Sequence, residues 1–504
     1  MIRRNALVAA GAAGMLAAAG LLAATAVPAA AAGSGCSVSY VVQNQWSGGF
    51  TGNVAVTNLG SPVTSWTLTF DFPTTTQSVS QGWSATWSQS GTQVTASSLS
   101  WNGSLGTNAS TTIGFNGTWS GSNPVPTSFA LNDTPCTGAV VTPTTSASSP
   151  TSSPTGGGGS VPAPALHVSG NSLVTADGTP YRLLGVNRSS GEFACIQGNG
   201  MWDGPVDQAS VDAMKTWNIH TVRIPLNEEC WLGTSDVPST GTSGAAYQQA
   251  VEDYVNLLVA NGINVILDLH WTYGLYTGSG AGCSDVAATC QKPMPDTQYT
   301  PTFWSQVATA FKGNNAVVFD LFNEPFPDAA NNWADATEAW TCLRDGGTCT
   351  GIGYPVAGMQ SLVNAVRATG AANVVMTGGL TWTNDLTQWL AYKPNDSTGN
   401  LVASWHSYNF NACVTVSCWD SQIGAVAAKV PVQAGEIGQN SCAHDYIDQV
   451  MNWADANGVG YTAWTWDPWG GCDSGGNVLI TDWNGTPTVS YGEGFKAHLM
   501  AQTS

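Results

Sequence analysis

Two glutamates are marked by their neighbours. Glu324 lies in Asn323-Glu324-Pro325 and Glu436 in Gly435-Glu436-Ile437-Gly438, each closing a short apolar run. Hydrolysis of a glycosidic bond uses such a pair: one carboxyl gives a proton to the leaving oxygen, and the other attacks the anomeric carbon or activates water. The acid must stay protonated while its partner stays charged, so the two environments have to differ. Pro325 helps end its run and fix the turn, and Gly435 and Gly438 allow close backbone approach around Glu436. Arg223, His270, Asn323, His406, Tyr408 and Trp464 sit at the ends of similar runs.

Side chains so far apart in sequence need a scaffold that gathers strand ends. Apolar runs at 181–187, 221–226, 264–271, 316–323, 373–379, 401–408, 432–438 and 460–466 alternate with amphipathic stretches such as 245–260, 356–368 and 446–456. Eight strands with crossovers predict a (β/α)8 barrel, whose active sites sit at the C-terminal ends of the strands. A doubly wound sheet would want a glycine-rich phosphate turn after the first strand, and Gly185-Val186-Asn187-Arg188 is not one. Asp177-Gly178 suits a hairpin turn that closes the barrel floor. Alternation along the sixth strand turns Trp405 away from His406 and into helix packing. Trp271 and Trp382 follow strands and suit either a cleft platform or loop packing. His167, His220, His444 and His498 read as surface or packing residues.

The rest of the chain divides by composition. Residues 1–32 carry Arg3-Arg4, an Ala/Leu-rich run and a small-residue end, which predicts a signal peptide and secretion. Residues 33–136 are rich in Thr, Ser, Val, Gly and Trp, with alternation in 53–57 and 66–72, and predict an antiparallel β-sandwich. Residues 137–164, full of Pro, Thr, Ser and Gly, predict a linker, and 165–504 is the barrel. With 13 basic and 32 acidic residues the net charge is −19, which excludes nucleic acid and anionic membranes as partners. No later run is long and apolar enough to span a bilayer. Twelve cysteines in an exported chain predict disulfides. Cys36 and Cys136 bracket the sandwich; Cys283/Cys290, Cys342/Cys349 and Cys413/Cys418 are local staples; Cys195/Cys230 and Cys442/Cys472 follow by elimination. No zinc-type spacing occurs, and no metal or cofactor is expected.

Six segments, in order, carry a resemblance: Val222-Arg223-Ile224-Pro225, Leu267-Asp268-Leu269-His270, Phe322-Asn323-Glu324-Pro325, His406-Ser407-Tyr408, Gly435-Glu436 and Ala463-Trp464-Thr465-Trp466. With them residues 165–504 resemble a glycoside hydrolase family 5 catalytic domain. The resemblance implies Glu324 as acid/base, Glu436 as nucleophile, and Asn323 as a partner of the substrate 2-hydroxyl. Arg223 and Tyr408 would hold and ionise Glu436, His270 and His406 would line the subsite before the cleaved bond, and Trp464 would be the sugar platform there. Trp466 is a weaker platform candidate. Cys36, Asn44-Gln45-Trp46, Gly82-Trp83, Trp101-Asn102-Gly103, Gly114-Phe115 and Pro135-Cys136 resemble a carbohydrate-binding module of family 2. By that resemblance Trp46, Trp83 and Trp101 would bind crystalline cellulose, Trp66 reads as core, and Trp87 has no assigned place.

The resulting expectation is a secreted, monomeric, retaining endo-β-1,4-glucanase acting on cellulose or a related plant β-glucan, with carboxyls about 5 Å apart. A β-mannanase or xyloglucanase of the same family is the alternative. A non-catalytic cellulose adhesin is the alternative of another class, and the intact pair of glutamates argues against it.

Overall fold

The structure is a computed structural model. It describes residues 35–136 apart from 47, 100, 101 and 108, and residues 161–502 apart from 275, 281–290 and 471–476. The expected leader (1–32), most of the expected linker, Trp101, the Cys283/Cys290 pair and Cys472 lie outside the described residues, as do the side chains of Trp46 and Trp83. The chain falls into two compact units, Met1–Thr155 and Gly156–Ser504.

In the first unit alternation along the strands buries one face of each sheet. Strand Gly49–Asn58 points Phe50, Val54 and Val56 inward and its threonines outward. It lies in a four-stranded antiparallel sheet with Cys36–Trp46, Ser110–Thr118 and Ser78–Trp83. The facing sheet is built on Thr86–Ser90, Gln93–Ser97, Thr67–Asp71 and Phe129–Leu131. Tyr40, Phe50, Phe70, Phe72 and Phe115 pack together between them, mostly edge-on or tilted, with Phe70 stacked on Phe115. Trp66 is buried, as expected. Trp87 finds its place here: its ring lies 5.0 Å from that of Phe115, over Gly82, where a methyl would meet the indole at 2.2 Å. The Cys36–Cys136 disulfide ties the two ends of this unit together.

The second unit is a closed eight-stranded parallel barrel. Its strands are β1 (Leu184–Asn187), β2 (Thr221–Asn227), β3 (Asn264–Trp271), β4 (Val317–Asp320), β5 (Val375–Thr377), β6 (Leu401–Tyr408), β7 (Val432–Gly438) and β8 (Gly460–Ala463), with β8 paired back to β1. Both faces are covered, so these strands read as continuous apolar runs. The outer helices show a different period. Helix Ala245–Ala260 buries Tyr247, Val251, Tyr254, Val255 and Leu258, a single stripe against the sheet. The stretch expected to be helical from 356 starts later: Val356–Ala357 pairs with Gly346–Gly347, and the helix runs Met359–Ala368.

A hairpin, Leu166–Ser169 with Ser172–Thr175, closes the barrel floor. Its Leu166 and Leu173 pack on Ile266, Val318, Val374, Met376 and Val402. Thr175 N donates to Thr179 O across the expected Asp177-Gly178 turn, with Gly178 at φ +85°. At the other end the connections are stapled. Cys342–Cys349 lies after β4 and Cys413–Cys418 after β6, as the spacing predicted, and Cys195–Cys230, expected by elimination, joins the segments after β1 and β2. Cys442, after β7, is also disulfide-bonded. Among the described residues no helix is long and apolar enough to cross a membrane.

Candidate active site

The C-terminal ends of β2, β3, β6 and β7 and the turn after β4 converge on one cleft of about 750 Å³. His270, Glu324, Tyr408, Glu436 and Trp464 line it; Arg223, Asn323 and His406 form its buried base.

Arg223 is the hub. It is fully buried, with Nη1 donating to Glu436 Oε1 at 3.0 Å and to Asn187 Oδ1 at 3.0 Å, and Nη2 donating to Asn323 Oδ1 at 2.9 Å. Beneath it Nε reaches Asp320 Oδ2 at 3.1 Å and Nη2 lies 3.0 Å from Asp268 Oδ1. Burial works against the Arg223 charge, but Asp268, Asp320 and Glu436 together hold the guanidinium above its ordinary range. Burial pushes Asp320 up to about 7 despite that same cation. The second Glu436 oxygen takes a 2.6 Å hydrogen bond from Tyr408 Oη. Both Glu436 oxygens thus face donors.

The glycines around Glu436 are required by sterics. A methyl on Gly435 would stand 2.9 Å from His406 Nε2, and one on Gly438 2.5 Å from Tyr408 Cε1. β7 runs in register with β6, His406 opposite Glu436 and Tyr408 opposite Gly438, after a bulge between Trp405 and His406.

Glu324 sits four residues beyond β4, at φ +42°, a left-handed conformation that L-residues rarely adopt. Its side chain is 17% exposed against 5% for Glu436, so it reaches the cleft more openly. His406 Nδ1 lies 2.9 Å from its Oε1, and Gln291 Nε2 donates to its Oε2 at 3.0 Å. Burial pushes the Glu324 carboxyl above the usual carboxylate range. Burial also drives His406 down to about 4, so this imidazole is neutral at ordinary pH. One donor atom from each of Glu324, His406 and Glu436 lies within 4.8 Å of the others. That closeness could hold a cation, but the buried Arg223 guanidinium already places a positive charge 3.0 Å from Glu436. What remains is a pair of close carboxyls, one with a donor at each oxygen and the other pushed by burial above the usual carboxylate range.

His270 Nδ1 is 2.6 Å from Asp268 Oδ2, and its ring stacks on Trp464 at 5.6 Å. Burial disfavours its charge, yet Asp268 holds it above the ordinary histidine value. Trp271 and Trp382 both line the cleft, and Trp382 stacks on Phe326 at 4.9 Å. Trp405 packs against Trp419 and Trp453, away from the cleft, as strand alternation predicted.

The eight barrel residues singled out from sequence therefore meet in one place. Trp466 does not join them: it is fully buried against Trp217 at 4.9 Å and is no platform. β8 ends at Ala463, so strand parity carries no information for residue 466. Asn187, Asp268, Asp320, Gln291, Trp333 and Phe410 were not foreseen. Asp268 and His270 share strand parity, a signal that could have exposed the first. Trp333 and Phe410 are each 59% exposed at the cleft and come from loops without periodicity.

Comparison with known proteins adds findings of three kinds. Residues 174–470 match the family model for cellulase (glycosyl hydrolase family 5), and residues 36–136 match that for a cellulose binding domain. Endoglucanase CelA of Streptomyces lividans is 28% identical over 454 residues, spanning 87% of this chain and 85% of that one. Exoglucanase A of Cellulomonas fimi is 52% identical over 109 residues, 21% of this chain but 12% of that one. Among solved structures, a β-glucanase from Saccharophagus degradans superposes with a TM-score of 0.50 at 21% identity, over 67% of this chain and 93% of that one, a likeness of fold.

Proposed function

The chain belongs to glycosyl hydrolase family 5 and carries a cellulose binding domain, and from that premise we propose that it is a secreted endo-β-1,4-glucanase that cleaves cellulose with retention of anomeric configuration. The observation that carries this reading is the pair Glu324 and Glu436, with oxygens within 4.8 Å and opposite electrostatic settings. Retaining enzymes place their carboxyls about 5–5.5 Å apart, whereas inverting ones need about 6.5–9.5 Å for a water.

In the first half of the reaction Glu436 attacks the anomeric carbon while Glu324 gives its proton to the departing glycosidic oxygen. In the second half Glu324 takes a proton from water, whose oxygen displaces Glu436 from that carbon. Asn323, its Oδ1 held by Arg223, offers its amide N–H to the substrate 2-hydroxyl. Trp464, backed by His270, is the platform for the sugar before the cleaved bond. Residues 1–32 would direct export. Trp46, Trp83 and Trp101 would hold the chain on cellulose, and tethering there raises the local substrate concentration without new catalytic contacts.

Glu436→Ala should lose activity and, given azide, form the inverted glycosyl azide. Glu324→Ala should fail on substrates that need a protonated leaving group. Near-normal activity in either variant refutes the mechanism. Release of reducing sugar from amorphous cellulose, β-mannan and xyloglucan tests the substrate, and a preference for mannan or xyloglucan would replace cellulose.

A further inference from the structure

Glu324 must do two opposed things, give a proton and later take one. Burial serves the first and hinders the second. The obvious counterweight, His406, is neutral and brings no charge. The other hydrogen-bond partner is Gln291, whose Nε2 donates to Glu324 Oε2 at 3.0 Å from the wall of the cleft.

Gln291 belongs to no strand; it lies on the long connection between β3 and helix Thr300–Phe311. That connection is anchored immediately after it, residue by residue. Lys292 is buried and its Nζ donates to Thr272 O, with Glu229, Glu228 and Asp296 around its charge. Pro293 O accepts from Phe326 N at 3.0 Å, two residues beyond Glu324. Met294 O accepts from Tyr354 Oη at 2.5 Å. The mount that carries the amide is thus fixed to the same turn that carries the carboxyl.

We propose that Gln291 is a positioning residue for Glu324: its amide N–H fixes the plane of the carboxyl and stabilises the ionised form that must accept the proton of water. The inference rests on the reading of Glu324 as acid/base. Glu324 is faced by Arg223 from β2, Asp268 and His270 from β3, His406 and Tyr408 from β6 and Glu436 from β7. The hydrogen bond described for Gln291 goes to Glu324 and not to any of these groups, so a shift in the pH profile reports on the amide.

The test compares Gln291→Leu, which fills the same space without a donor, and Gln291→Glu, which puts a second carboxyl there. The probes are phenyl β-cellobioside, whose poor leaving group needs the acid, and 2,4-dinitrophenyl β-cellobioside, whose turnover is limited by the water step. With the phenyl substrate the alkaline limb of kcat/KM should move up by about one pH unit in Gln291→Leu, and further in Gln291→Glu. With the dinitrophenyl substrate kcat should fall, by up to about tenfold on the acid side of the profile where Glu324 is mostly protonated, KM should fall with it as glycosyl-enzyme accumulates, and azide should restore turnover. Thermal melts identify a variant that has merely unfolded, and the other then decides. Profiles that superimpose on the parent in a folded variant overturn the inference. Glu324→Gln separates the two levels: if it handles the phenyl substrate like the parent, the acid/base reading itself fails. If it is crippled while the Gln291 variants are normal, only the role of Gln291 falls.

Discussion

Gly438→Ala is a one-methyl perturbation whose effect can be worked out from the structure. The added Cβ would lie 2.5 Å from Tyr408 Cε1 and 2.9 Å from Cδ1. Ordinary contact begins near 3.4 Å, so the ring must withdraw by about 0.9 Å, the difference between 3.4 and 2.5 Å. Phe410 is stacked on that ring at 5.1 Å and limits how it can turn. A withdrawal of that size stretches the 2.6 Å bond from Tyr408 Oη to Glu436 Oε2 to the limit of a hydrogen bond. A hydrogen bond to a charged group is worth about 1.5–3 kcal/mol, so kcat/KM should fall roughly tenfold to a hundredfold. Tyr408→Phe, which removes only the hydroxyl, supplies the benchmark. Because both changes act through one bond, the double variant should be no slower than the worse single one. Initial rates on a soluble aryl cellobioside, with melting temperatures to confirm folding, are sufficient. A parental rate in Gly438→Ala, or a double variant whose loss is the product of the two single losses, would refute the reasoning.

Two further outcomes concern stability. Burial lowers His406 from 6.5 to about 4 in the folded protein, so its contribution to stability is intact above 6.5 and lost as pH falls towards 4, by at most about 3.4 kcal/mol. His406→Gln should therefore lose less Tm than the parent across that window, and parallel Tm–pH curves would contradict this. The Cys36–Cys136 bridge closes a loop with a sequence separation of 100 residues, for which chain entropy gives about 4–5 kcal/mol. Replacing both cysteines by Ser should lower the calorimetric transition of the first unit by about 20 °C or more and leave the barrel's transition in place; an unmoved first transition would be the contrary result.

The barrel was legible because a strand covered on both faces leaves a run of Val, Ile, Leu and Phe that needs no context to recognise. Glu324 and Glu436 were legible because polar residues at the ends of such runs are costly unless they serve a purpose. What sequence left hidden falls into two kinds. Asp268 and Asp320 lie inside the runs, and only the three-dimensional meeting of β2, β3 and β4 under Arg223 explains a carboxylate there. Gln291, Trp333 and Phe410 ride on connections, where no period constrains residue type, and their roles come from where the loops are anchored. Trp466 failed for a related reason: the alternation rule was extended past the last ladder pair, where the chain had already turned into the core.

The disulfides of the barrel unit follow a pattern with a consequence for descent. Each described pair lies on the connections that leave the C-terminal ends of the strands: Cys195–Cys230 and Cys413–Cys418 before a helix or in its first turn, and Cys342–Cys349 across the end of helix Ala336–Asp345. The floor carries none of the described disulfides and is held by apolar packing and by hydrogen bonds such as Val168 N to Asn400 Oδ1 at 2.9 Å. Rigidity at the mouth is thus sutured loop by loop, with stitches spanning 5, 7 and 35 residues. A lineage can lengthen or rewrite one stitched connection, and so change which sugar branches are admitted, while the inherited hub around Arg223 is left untouched. Innovation in such a protein is confined to the rim, and its chemistry is conserved by construction.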